Sequence, residues 1–131
     1  MYLQIGLIFE MKKKISLFVM AAFYLLAGIN HFRTPETYYQ IIPAYFSNPH
    51  SINIEAGIAE ILLAILLLIS TTKKISCYAI IIMLLAFIPA HIYMLKVGFC
   101  IKDLCLPTWA LWARLIILQP LLILWAWSNI K

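Results

Sequence analysis

Long apolar runs broken by short polar segments dominate the chain. Those from Ile15 to His31, Ile54 to Ser70, Ile75 to Met94 and Thr108 to Ser128 each carry few charges and are bounded by charge, Pro or Asn. A helix needs roughly 17–20 apolar residues to cross a ~30 Å hydrocarbon core, and each run is long enough. The pattern predicts an all-α fold, a bundle of four transmembrane helices forming one domain over residues 1–131. No long Gly/Ser linker, repeat or low-complexity tract divides it. Between the first two runs lies AGINHFRTPETYYQIIPAYF, residues 27–46, polar and aromatic in an otherwise apolar chain. Thr34-Pro35-Glu36 reads as an N-cap, a proline at the first helical position and an acid in the first turn, so a short helix to about Ile42 is expected before Pro43. Tyr38, Tyr39, Tyr45 and Phe46 would lie at headgroup level, as an anchor or as a lid over what lies beneath.

Composition strengthens the membrane reading: 65% of residues are hydrophobic and 11% charged, against about half and a quarter in soluble domains. The net charge of +5 does not point to nucleic acid, because the lysines fall in short clusters between apolar runs. Lys12, Lys13, Lys14, Lys73, Lys74 and Lys131 belong to one side of the bilayer, and Arg33, Lys96 and Lys102 to the other. The positive-inside rule then places both termini in the cytoplasm, in a bacterial inner membrane. A basic start followed by an apolar run also describes a signal peptide, but LLAGINHF is a poor cleavage site and three more spans follow, so the first span is expected to be retained. A start at Met11 would give a more familiar MKKK opening.

Ionisable residues inside spans are costly and mark sites. Glu60 in the second span and Arg114 in the fourth lie at roughly 12 and 9 Å depth from the outer ends, by a rise of 1.5 Å per residue. They are expected to pair. Ala56, Gly57, Glu60 and Ala64 form a stripe that admits a neighbouring helix. His31 with Asn30 ends the first span, and His91 lies near the outer end of the third. Glu55 is rotated about 140° from Glu60 and is no second carboxylate of a dyad. Pro89 and Pro120 each free a backbone carbonyl that a neighbour must satisfy. The expected buried polar cluster is therefore Asn30, His31, Glu60, His91 and Arg114, which serves to fix helix register, to form a ligand or redox site, or to translocate a proton or solute. Metal binding is not expected, since the histidines lie on different helices without an H-x-x-H or E-x-x-H pattern. Cys100 and Cys105 share the second outer loop, where a disulfide, two free thiols or a dithiol acting on a quinone pool are the alternatives, while Cys77 lies at the inner end of the third span.

GINHFRTPETYYQIIPAYF, EAGIAEILLAILLL, IPAHIYM and WARLIILQPLLILWAW, taken in order, resemble the DoxX-like family of small bacterial membrane proteins. The resemblance covers nearly the whole chain after Met11. His31, Phe32, Pro35, Tyr38, Pro43, Gly57, Glu60, Pro89, Tyr93, Arg114 and Gln119 fall on the family pattern. His91 stands where many relatives have Asn, and the Cys100/Cys105 pair is not a general family feature. The resemblance implies a four-helix membrane bundle, and its relatives include a subunit of thiosulfate:quinone oxidoreductase and a component of methylamine utilisation.

These features lead to three functional readings. The first is a quinone- or thiol-linked redox accessory, with Asn30, His31, Glu60, His91 and Arg114 as the polar groups and Tyr38, Trp109 and Trp112 as aromatic lining. The second is a transporter or binder of a small apolar metabolite. The third is a scaffold subunit without its own ligand. Catalysis is not specified. No cofactor is fixed beyond the quinone of the first reading. The expected partners are the lipid bilayer and a redox partner protein or a second copy of the chain.

Overall fold

The computed structural model describes residues 1–131. It is predominantly helical, and four of its helical segments are long and apolar enough to cross a membrane. The first is α1, Tyr2–Arg33. After the short α2, Pro35–Tyr39, comes α3, Pro49–Leu67. The third segment is broken into α4, Lys73–Ala86, and α5, Ile88–Val97. A hairpin of β1, Cys100–Ile101, and β2, Leu104–Cys105, leads to the fourth segment. That segment consists of α6, Thr108–Ala113, a π-helical turn Arg114–Leu118, and α7, Gln119–Ser128.

Element boundaries depart from the sequence expectation for local reasons. α1 begins at Tyr2 rather than Ile15, because Lys12–Lys14 are good helix formers and no proline interrupts the run. α3 starts at Pro49, where Asn48 Oδ1 accepts the Ser51 N–H at 3.2 Å and the proline occupies N1. α2 stops at Tyr39 instead of Ile42: Gln40 keeps helical angles as a turn residue, and Pro43 disfavours helical geometry at Ile42 just before it. Thr34 holds the N-cap position of α2, but its hydroxyl donates back to the Asn30 carbonyl at 3.2 Å and does not cap.

The long helices pack α1 on α3, α3 on α4 and α4 on α7, and side chains of α7 reach back to α1 to close the ring. The α1–α3 contact is closest at Gly28 and Gly57. A Cβ on Gly28 would lie 2.8 Å from the Gly57 carbonyl and 2.7 Å from the Ile61 side chain. One on Gly57 would lie 2.9 Å from the His31 Cβ. The ring is closed at the end that holds the chain termini, where Ser16 Oγ accepts from Trp125 Nε1 at 2.8 Å and from Asn129 Nδ2 at 3.1 Å. The largest apolar core lies in this half, around Met20, Tyr24, Leu67, Ile80 and Met83. At the opposite end, here the hairpin end, Ile41, Met94 and Leu111 form a second small cluster that seats the α2 segment against α5 and α6.

Polarity is arranged inside out. Buried positions include His31, Asn53, Glu60, Ser76, His91, Gln119 and Asn129, while Ile58, Leu62, Ile65, Ile82, Leu85, Ile116, Ile117 and Leu124 are exposed around the outside. An exposed apolar belt of this extent suits hydrocarbon and not water. The chain is a multi-pass membrane protein by the length and composition of its helices.

Candidate functional site

A cavity of about 140 Å³ opens between the four long segments in the hairpin half. α1 contributes Tyr24 and His31, which lie on one face with Gly28 between them at helical spacing. α3 contributes Glu60, on the face that also carries Asn53, Gly57 and Ala64. The glycine contact therefore does more than pack two helices, because it brings the His31 and Glu60 side chains to the same height. His91 comes from α5, Arg114 from the π turn, Gln119 from α7, and Tyr38 and Ile41 cover the hairpin side.

The breaks in the third and fourth segments shape the far wall. Pro89 cannot donate to the carbonyl of Leu85, and the α4 helix stops at Ala86. One residue earlier, the Leu84 carbonyl is satisfied by Gln119 Nε2 from α7. Pro120 likewise cannot donate to Ile116, and the preceding turn widens so that the Gln119 N–H reaches the Arg114 carbonyl, five residues back. The widened turn carries Arg114 at its first position.

Hydrogen bonds fix the protons around His31. Asn53 Nδ2 donates to the His31 backbone carbonyl at 2.9 Å, which turns Asn53 Oδ1 towards His31 Nδ1, 2.6 Å away. That oxygen only accepts, so Nδ1 carries a hydrogen. His31 Nε2 faces Glu60 Oε2 at 3.4 Å, an ion-pair distance without hydrogen-bond alignment. Tyr38 stacks on the His31 ring with centroids 3.7 Å apart, and Asn30 Nδ2 donates to the Tyr38 hydroxyl at 2.8 Å. Burial raises the pKa of the Tyr38 phenol above its ordinary value and the Glu60 charge adds to that, while the Asn30 hydrogen bond and the Arg114 charge oppose it.

Three polar atoms around the cavity are buried without a hydrogen-bond partner: Tyr24 Oη, Glu60 Oε2 and His91 Nδ1. Each belongs to a residue at most 6% exposed and lining the cavity. An unsatisfied buried polar group costs about 1–3 kcal/mol, so the cavity has room and reason for a polar guest.

The residues singled out from the sequence divide as follows. His31, Glu60, His91, Arg114 and Tyr38 line this cavity. Asn30 does not line it and acts on it through Tyr38. The expected Glu60–Arg114 ion pair is not formed, since His31 holds the position facing Glu60. Nor is Arg114 buried among the helices; it lies exposed at the rim, shared with a groove of about 350 Å³ on the outer surface of α6 and α7. Trp109 and Trp112 are absent from the cavity, being 74% and 47% exposed. On a helix they are about 140° and 160° away from the direction of Arg114, at 100° per residue. Asn53, Tyr24 and Gln119 complete the polar lining and its supports. Asn53 and Tyr24 precede Glu60 and His31 by seven residues, a helical repeat that marks the same face. Cys100 and Cys105 are joined as a disulfide, and Gln40 clamps the hairpin to the α2 segment. Its Nε2 donates to the Cys100 carbonyl at 2.8 Å and its Oε1 accepts the Cys100 N–H at 3.2 Å. No set of three His, Cys, Asp or Glu side chains converges on a metal position.

Residues 20–130 match a family described as a domain of unknown function, DUF8561. No curated protein and no solved structure matches the chain.

Proposed function

The chain belongs to the DUF8561 family, and we propose from the site itself that it takes the ring of a quinone-type compound out of the bilayer, as an accessory subunit in membrane redox chemistry. The observation that carries this reading is a ring-sized cavity walled by unpartnered polar atoms and joined through Arg114 to an apolar groove. A cavity of about 150 Å³ accommodates one benzene ring, and this one measures about 140 Å³. The groove beyond Arg114 is lined by Leu106, Trp109, Ile117, Leu118 and Leu121, so an apolar tail would stay outside while a polar ring enters. Inside, the Tyr24 hydroxyl and the Arg114 guanidinium are donors for ring carbonyls, and His91 Nδ1 serves as donor or acceptor according to its tautomer. Reduction of a quinone to a quinol takes up two electrons and two protons. The two protons would come from water, with His31 and Glu60 as the ionisable groups beside the ring, and the two electrons from a redox partner protein. The resemblance of the sequence motifs to the DoxX-like family favours the same reading.

In this proposal the four segments cross the bacterial cytoplasmic membrane with both termini inside and α2 at the outer interface. The lysine bias supports that orientation. So do the cysteines: the bonded pair belongs to the hairpin end, which would face an oxidising compartment, and free Cys77 is buried in α4. A reporter fused after Lys131 should be active in the cytoplasm and one inserted near Asn48 outside; the reverse pattern refutes the orientation.

The binding test uses purified protein and a short-tailed benzoquinone, read by tryptophan fluorescence and by melting temperature. Saturable quenching and a raised melting temperature are expected, with affinity lowered at least about tenfold by Arg114→Leu, the value of one charged hydrogen bond. Absence of any quinone-dependent change, or equal binding by Arg114→Leu, refutes the proposal.

A further inference from the structure

A cleft of about 420 Å³, roomier than the polar chamber, lies at the terminus end, between α1, the end of α3 and the start of α4. Its mouth carries Lys13, Lys14 and Lys73, with Glu10 and the Ser70 hydroxyl beside them. Lys14 and Lys73 give the opening a positive charge above a floor of Leu17, Phe18, Leu67 and Leu68. Lys13 Nζ contacts the carbonyl of Lys131 and is thereby tied to the C-terminus. Lys14 and Lys73 have no carboxylate within ion-pair distance.

The cleft does not end at its floor. Phe18 and Leu68 also form the edge of a second groove of about 200 Å³, lined only by apolar side chains and deepened by the small residues Ala21, Ala22 and Ala64. From Lys14 to Leu25 the axial distance along α1 is about 17 Å at 1.5 Å per residue. That is close to half of a ~30 Å hydrocarbon core, the depth one acyl chain reaches. Between Lys13 and Arg33 the rise is about 30 Å, so the lysines stand one hydrocarbon thickness from the hairpin end, at headgroup height.

We propose that this cleft and groove are a binding site for an anionic phospholipid, with the phosphate between Lys14, Lys73 and the Ser70 hydroxyl and one acyl chain laid along Phe18, Ala22 and Leu25. Both parts are needed for that assignment. Bulk lipid is as apolar as the groove, so the groove gives position and residence, while discrimination against zwitterionic lipid comes from the lysines. A free phosphate would use the mouth and leave the groove unoccupied. The inference is independent of the quinone reading, because the two sites share no lining residue.

The test is native mass spectrometry of the detergent-solubilised full chain, titrated separately with phosphatidylglycerol, phosphatidylcholine and inorganic phosphate. One phosphatidylglycerol should be retained at concentrations where phosphatidylcholine is not. Lys14→Gln with Lys73→Gln should weaken that retention on the order of 30-fold, which is about 1 kcal/mol per lysine. Glutamine is as good a helix former as lysine, so helicity is preserved and loss of lipid is not loss of fold. Ala22→Phe, at an exposed position of the groove, should shorten residence of phosphatidylglycerol with every charge intact. Equal retention of the two lipids, or unaltered retention by the double lysine variant, overturns the proposal. So does phosphate that competes fully at millimolar concentration while Ala22→Phe has no effect, an outcome that would assign the mouth to a free anion.

Discussion

Replacing His31 with leucine removes the imidazole that faces Glu60 and leaves a carboxylate, 5% exposed, without a counter-charge. Breaking a buried pair by removing one member typically costs about 3–5 kcal/mol. The same substitution strands Asn53 Oδ1, buried with its residue 1% exposed, for a further cost of about 1–3 kcal/mol. His31→Leu should therefore destabilise by at least about 4 kcal/mol, a large part of the total stability of a domain. Glu60→Gln is expected to behave differently. The amide fills the same volume and keeps hydrogen-bonding capacity beside the imidazole, so the loss should stay under about 1 kcal/mol. In the double variant only the Asn53 contribution remains, giving about 1–3 kcal/mol and a coupling of about 3–5 kcal/mol. Reversible unfolding in mixed micelles, followed by tryptophan fluorescence, measures all three. If His31→Leu alone does not fold, recovery of folding on adding Glu60→Gln reads the same coupling. Equal effects of the two single changes, or additivity within about 0.5 kcal/mol, would falsify the coupling of His31 to Glu60.

Gly28→Ala should cost about 1–3 kcal/mol and weaken the His31–Glu60 approach, because the new methyl meets the Gly57 backbone carbonyl, which cannot swing aside; an unchanged melting temperature would contradict the close α1–α3 contact. Opening the Cys100–Cys105 bridge by Cys100→Ser with Cys105→Ser should lower stability by about 2 kcal/mol from loop entropy. Amide exchange should rise in both the hairpin and the α2 segment that Gln40 ties to it, and exchange confined to the hairpin would show that the clamp does not couple them. Tyr38 is protonated in the folded state to a higher pH than in the unfolded chain, so its burial stabilises fully below about pH 10 and that contribution is lost as pH rises through the folded value. Tyr38→Phe should flatten alkaline unfolding, measured by helicity against pH, and an identical alkaline limb would remove Tyr38 from that transition.

The helices were legible because apolar runs of membrane length have few other uses, and the fourth segment kept its sequence-derived bounds of 108 and 128. What blurred the ends was capping. The second span was expected from Ile54 and α3 starts at Pro49 under the Asn48 cap, while the first was expected from Ile15 and α1 runs back to Tyr2. The site was legible to the extent that ionisable residues are rare in such runs: His31, Glu60, His91 and Arg114 stand out on cost alone. Which of them meet was not legible. Charge complementarity in one dimension favours Arg114 for Glu60, whereas the approach of Gly28 to Gly57 decides for His31. The position of Arg114 depends on a turn widened by one residue ahead of Pro120, and no periodicity of 3.6 anticipates it.

The two halves of the ring around the cavity are built from opposite materials. α1 and α3 meet through glycines too close to admit a methyl group, and their polar groups are locked by Asn53. The third and fourth segments are each broken by a proline at the height of the cavity, and they meet there through the Gln119–Leu84 hydrogen bond. A helix missing one backbone bond bends more readily than an intact one, so deformation belongs to the proline side. Arg114 and the apolar groove lie on that same side. A guest entering from the groove would thus displace the half of the wall that can yield, while the His31–Glu60 pair it meets stays fixed. The glycine contact and the two prolines, residues with no polar side chain to draw notice, thereby determine where the polar side chains act.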